Sequence, residues 1–128
     1  MSIDTQHFAK LLDEELNLAR QIHDLMHQER GAIRANDIGT LQHLRTSSSQ
    51  CLQQLRDHAS QRLQWMQNKG MDSADTCLNH PDIRPAANIN RLWQELEQQY
   101  NRNRKLSQQL SDIVLTARHR TVQKLKIL

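Results

Sequence analysis

The apolar residues of the first third of the chain, Phe8, Leu11, Leu12, Leu18, Ile22, Leu25 and Met26, recur at intervals of three and four. That spacing places them along one side of a helix and predicts helix one over residues 4–30. Glu15 occupies a step of the stripe where an apolar residue belongs, and Leu16 lies off it. The segment 31–37 interrupts the pattern: Gly31 suits a helix end, and Asp37 is a good N-cap, its carboxylate accepting from the free amides of the next turn. Helix two is then expected over residues 38–69, through Leu41, Leu44, Cys51, Leu52, Leu55, Ala59, Leu63 and Met66, with Ser47-Ser48-Ser49 weakening its middle. Periodicity vanishes over residues 70–87, where Asp72, Ser73, Asp75, Asn79, Pro81, Asp82 and Pro85 give loop composition. A loop of that length is mobile or functional. Helix three is expected over residues 88–127, through Ile89, Trp93, Leu96, Tyr100, Leu110, Val114, Ala117, Leu125 and Leu128.

One helix of that length measures roughly 60 Å, against about 40–45 Å for each of the other two. The expected fold class is therefore all-α: an elongated antiparallel three-helix bundle with coiled-coil-like packing, a single domain over residues 1–128, and a long third helix whose end overhangs its neighbours. Along that end the apolar residues leave the single stripe. Leu106, Ile113, Leu115, Val122 and Ile127 fall on other sides, and Leu115 and Val122, seven apart, stack on a second face. A second apolar face must be covered by something outside the bundle. Full burial of one Leu or Val on a partner is worth roughly 1.5–3 kcal/mol, so a few such residues suffice for a micromolar contact. Homodimerisation is the rival use of the same face, and an end that touches nothing the bland one.

Composition agrees with a slender rod. Apolar residues are 37% of the 128 and aromatics 3%, too few for a thick two-layer core, and three Gly and two Pro do not supply the turns of a sandwich or barrel. The longest apolar run, Ile113-Val114-Leu115, is far short of a membrane span, and Met1-Ser2-Ile3-Asp4 lacks the basic start and apolar stretch of a secretory signal, so a cytosolic location is expected. Net charge is +3, divided as −3 over residues 1–37, 0 over 38–83 and +6 over 84–128. A basic end of that kind suits nucleic acid, an acidic partner, or an acidic helix of the same molecule. Cys51 reads as a small core residue and Cys77 as a loop residue, with no disulfide expected between them in the cytosol.

Catalytic chemistry is not expected. The sequence has no Gly-rich phosphate loop, nucleophile elbow or HExxH pattern, and the pairs Glu14-Glu15 and Glu95/Glu97 lie on rod-like helices where a concave pocket is hard to build. His23 and His27, four apart, can chelate from one helical face, but no further His or Cys completes a set, and no metal or cofactor is expected. The basic residues Arg102, Arg104, Lys105, Arg118, Arg120, Lys124 and Lys126 spread around helix three, while Trp93 and Tyr100 belong to the core stripe. Nucleic-acid binding is therefore not the expected role; if present, it shows as affinity falling steeply with salt.

The junction of the first two helices carries Glu29, Ala32, Ile33, Asp37, Leu41, Leu44, Cys51, Leu52 and Leu55 in one register. That pattern resembles the FlgN family of flagellar export chaperones, with Ser48 where lysine is usual. Leu92-Trp93 matches a Leu-Trp pair, and Lys124-Leu125-Lys126-Ile127-Leu128 is similar to the closing run. The Asn-x-x-Asn-Gly element common in the family is missing: Ser107, Leu110 and Ser111 occupy its place, which marks a divergent member.

The resemblance implies a bacterial cytosolic chaperone that binds the C-terminal region of hook-filament junction (hook-associated) proteins, prevents their premature assembly and delivers them to the type III export gate. Leu115, Val122, Leu125, Ile127 and Leu128 are the expected apolar anchors for the client, with Arg118, Arg120, Lys124 and Lys126 as a basic rim that orients an acidic segment. The rival is a coiled-coil adaptor that dimerises through the same surface.

Overall fold

In a computed structural model, residues 3–127 are described, with side chains described through residue 115. The described residues form four helices and no strand: α1 (Thr5–Arg34), α2 (Ile38–Asn68), the short α3 (Ala74–Leu78) and α4 (Ala87–Ile127). The fold is all-helical, packed as a helical bundle.

Local chemistry sets the helix ends. Asp4 caps α1, accepting from the His7 amide at 3.0 Å. Asp37 caps α2, accepting from the Thr40 amide at 3.1 Å and the Thr40 hydroxyl at 2.7 Å. That hydroxyl first, and then the amide, hold the Asp37 carboxyl below its ordinary value. α1 does not stop at Gly31. It continues to Arg34, because the left-handed residue needed to end it is Asn36, at φ 56°. There the Asp37 amide bonds back to the Ala32 carbonyl at 2.9 Å and the Asn36 amide to Ile33 at 3.1 Å, the paired closure of a Schellman motif. Gly70, at φ 75°, ends α2 in the same way, and the motif's apolar clasp is Met66 against Met71, both buried.

α1 is the helix both long partners pack against; α2 and α4 touch each other much less. Along α1 and α2 the contacts run in opposite order, Glu29 with Ser48, Leu18 with Cys51 and Glu15 with Arg62, so the two are antiparallel. Along α1 and α4 they climb together, Phe8 with Trp93, Glu15 with Tyr100, Ala19 with Asn103 and Arg30 with Gln109. These two helices therefore run parallel, side by side, which the expectation of an antiparallel bundle did not specify.

The central place of α1 corrects the reading of its faces. A helix with neighbours on two sides needs an apolar arc wider than one stripe. Leu16, expected off the stripe, is 1% exposed and joins Phe8 and Leu12 in the core. For the same reason Leu106 of α4, expected to be surplus, is buried. Conversely Leu52 and Leu63 of α2, expected in the core, are exposed.

The 70–87 segment is not a bare loop. α3 opens on a capping box in which the Ser73 and Thr76 side chains each accept from the other's backbone amide. Met71, Cys77 and Ile83 are buried among Phe8, Leu12, Met66, Ile89 and Trp93. Asp82 accepts from the Ile3 amide at 2.8 Å, and the Asn90 side-chain Nδ2 donates to the Ala86 carbonyl at 2.9 Å. The segment thus plugs one end of the bundle. Its apolar residues arrive singly, so they left no period in the sequence. Both thiols are free and burial pushes each above its ordinary value; Cys77, expected in a loop, sits in α3 with no exposure.

At the other end the helices do not finish together. With Arg30 level with Gln109, Arg34 comes level with a residue near 113, and α4 continues to Ile127, roughly 20 Å further.

Candidate functional site: an open trough between α2 and α4

Two arrangements define the middle of the bundle. The first is a closed polar knot. Glu15, with no exposure, accepts from Arg62 Nε and Nη2 of α2 and from the Tyr100 hydroxyl of α4, and so joins three helices at one carboxylate. Arg62 also lies over the Trp93 ring, 5.4 Å from its centroid, and Trp93 Nε1 donates to Glu97 at 2.8 Å. One turn along, buried Asn103 donates to the Ala19 carbonyl at 2.9 Å and accepts from Gln99 at 2.9 Å. A carboxylate satisfied by a guanidinium fork and a phenol fixes one register of the helices, because sliding any of them strands a buried charge.

Burial first, and the hydrogen bond to Glu15 second, push the Tyr100 phenol above its ordinary value of 10. The unfolded chain ionises this phenol near pH 10, while the folded chain keeps the proton to higher pH. The stabilisation is therefore complete below pH about 10 and drains away as pH rises beyond it. Urea unfolding at a series of alkaline pH values should show that decline, and Tyr100→Phe should flatten it.

The second arrangement is open. Beyond Tyr100, α2 and α4 frame a trough of about 630 Å³ along α1, with Ile22, Met26, Leu52, Leu55, Tyr100 and Leu110 as its apolar lining. Leu52, misplaced as a core residue in the sequence, is here a wall. Arg45 on α2 and Arg104 on α4 stand among the lining, while Glu29 accepts from Ser48 at 3.3 Å. A second hollow of about 270 Å³ continues from it, sharing Glu29, Arg45 and Leu110 and adding Ile33, Leu41, Val114 and Leu115. The two form one apolar trough running toward the overhang.

Of the sequence-predicted anchors, Leu115 is the one whose side chain is described. It is 57% exposed and lies at the mouth of the trough. Arg118, Arg120, Val122, Lys124, Leu125, Lys126 and Ile127 are carried by the distal part of α4, and their side chains, with Leu128, lie outside the described residues. The trough itself was missed. Its signal was available, since Leu52 departs by one step from the stripe set by Cys51 and Leu55. Among the described residues no three His, Cys, Asp or Glu gather to hold a metal, and no helix is long and apolar enough to cross a membrane.

The class that the described residues define is an all-helical bundle with an open apolar trough beside a polar interior tied up in structural pairs. The particular family follows from comparison. The model for the FlgN protein family matches residues 1–128, and the chain belongs to the FlgN family. No curated protein and no solved structure matches it. FlgN proteins are flagellar export chaperones; they bind flagellar hook-associated proteins and are in general soluble and cytoplasmic, and the family is not known for enzymes.

Proposed function

We propose that this chain holds the C-terminal region of hook-filament junction proteins in the cytoplasm, keeps it from assembling and hands it to the type III export gate. The client segment is an amphipathic helix, laid along the trough with its apolar face toward Ile22, Met26, Leu52 and Leu110 and continuing onto the overhanging end of α4. Leu115, Val122, Leu125, Ile127 and Leu128 anchor it there, and Arg118, Arg120, Lys124 and Lys126 meet its acidic residues. The observation that carries this reading is the continuity of the trough with exposed Leu115. Helix-in-groove recognition needs an apolar channel open at one end, with charges beside it to set orientation.

The experiment is capture of junction-protein tails by the purified chain. Leu115→Asp combined with Val122→Asp is expected to abolish capture while circular dichroism shows the helices intact; retained capture overturns the reading. Light scattering tests the competing use of the surface. A monomer at every concentration supports client docking, and a tight dimer supports a self-associating adaptor instead.

A further inference from the structure

The side of α4 that faces away from the trough carries a second feature. At 100° per residue, Tyr100, Arg104, Ser107 and Leu110 share one side of α4, and Arg102, Lys105, Leu106 and Gln109 the opposite one. The latter four meet His23, His27 and Arg30 of α1 across a cleft of about 330 Å³. Three permanent cations and two imidazoles line it, and no carboxylate does. Arg30 Nη1 donates to Gln109 Oε1 at 3.2 Å and its Nη2 lies 2.8 Å from His27 Nδ1, neither partner being a carboxylate; Arg102 and Lys105 form no ion pair among the described residues. Glu95, further toward the plugged end, is taken by Arg20 at 3.5 Å and Arg91 at 3.9 Å. Asp24 is exposed on α1 outside the lining, and Asp112 of α4 has an interaction of its own. Like charges crowded without a counter-ion repel one another, and a bound anion relieves that cost.

We propose that this α1/α4 cleft binds an acidic helical segment of a protein partner, separately from the client trough. The chemistry narrows the ligand. Every wall is mid-helix, so the backbone amides are spent and offer no phosphate cradle. No Phe, Tyr or Trp lines the cleft to stack a base. Two of the three cations, Arg30 and Arg102, are planar guanidinium forks, which match carboxylates, and the third is the Lys105 ammonium. The polar side chains recur in steps of three and four on both walls, His23, His27 and Arg30 on α1 and Arg102, Lys105 and Gln109 on α4, and span roughly 10 Å. Glutamates at i, i+3 or i+4, and i+7 of a helix repeat at the same spacing.

The test is titration calorimetry of the full chain with a synthetic helical peptide bearing glutamates in that pattern, beside the same peptide with glutamines and beside inorganic tripolyphosphate. The acidic peptide is expected to bind and to weaken as salt is raised. Arg102→Gln with Lys105→Gln, both exposed positions, should weaken it by about tenfold or more. Arg45→Gln with Arg104→Gln, on the trough side, should leave its affinity unchanged. Absence of binding, indifference to the first pair, equal loss from the second, or tripolyphosphate binding as tightly as the peptide each overturns the proposal. None of these outcomes bears on capture of junction-protein tails, which is read with a different ligand and different variants.

Discussion

Glu15→Ala is expected to remove about 3–5 kcal/mol of stability, a large share of the roughly 5–15 kcal/mol a domain has in total. The reason is what the substitution leaves behind. Arg62, its side chain 12% exposed, keeps its charge but loses both bonds to the carboxylate, and the Tyr100 hydroxyl loses its acceptor. The stack on Trp93 and the weak contact with Met66 Sδ at 3.5 Å offset little of a desolvated charge. Removing the whole knot is a different matter. Glu15→Leu, Arg62→Met and Tyr100→Phe together leave no orphaned group, and buried ion pairs replaced by well-packed apolar residues are often neutral or stabilising. The triple variant should therefore recover most of the loss. Urea midpoints for the single and triple variants check this, and a triple variant as unstable as Glu15→Ala would show that the knot contributes through packing rather than through paired charge.

The knot also shows how far the sequence could be read. Glu15 stood out as an acid on an apolar step, and Arg62 lies seven beyond Leu55 and four before Met66, on a core step of α2. Opposite charges at core steps of adjoining helices were a legible sign of a pair, but the pairing depends on how the helices are placed, which periodicity does not encode. The long helices and the Asp37 cap were legible for the converse reason: spacing and capping are local. The plug at 70–87 was not, because Met71, Cys77 and Ile83 are buried by a chain that turns at Ser73, Pro81 and Pro85 and has no repeat. At the candidate site, Leu115 was legible as surplus to the stripe and is exposed. Leu106 showed the same pattern and is buried, since which side of α4 meets α1 is settled by packing. The trough follows from α2 and α4 both choosing α1 as partner, and one sequence taken helix by helix contains no statement of that choice.

Phe8→Ala should cost about as much as the loss of Glu15, roughly 3–5 kcal/mol, and for an apolar reason. Phe8 has no exposure; its ring stacks on Trp65 of α2 at 4.9 Å and lies 6.3 Å from Trp93 of α4. It therefore ties the start of α1 to the end of α2 and the start of α4, beneath the plug of Met71, Cys77 and Ile83. A methyl group in its place leaves a cavity that two large indoles, each held by other contacts, cannot close. Leu115→Ala, at the opposite end, removes a side chain already 57% exposed and should change stability by less than about 0.5 kcal/mol. Thermal or urea unfolding of the two variants measures the contrast directly, and equal losses would refute it. A rod whose stability is concentrated at the plugged end can leave apolar surface uncovered at the other without unfolding. A docking trough beside Leu115 requires that asymmetry, because residues already committed to holding the fold have no free face to offer a guest.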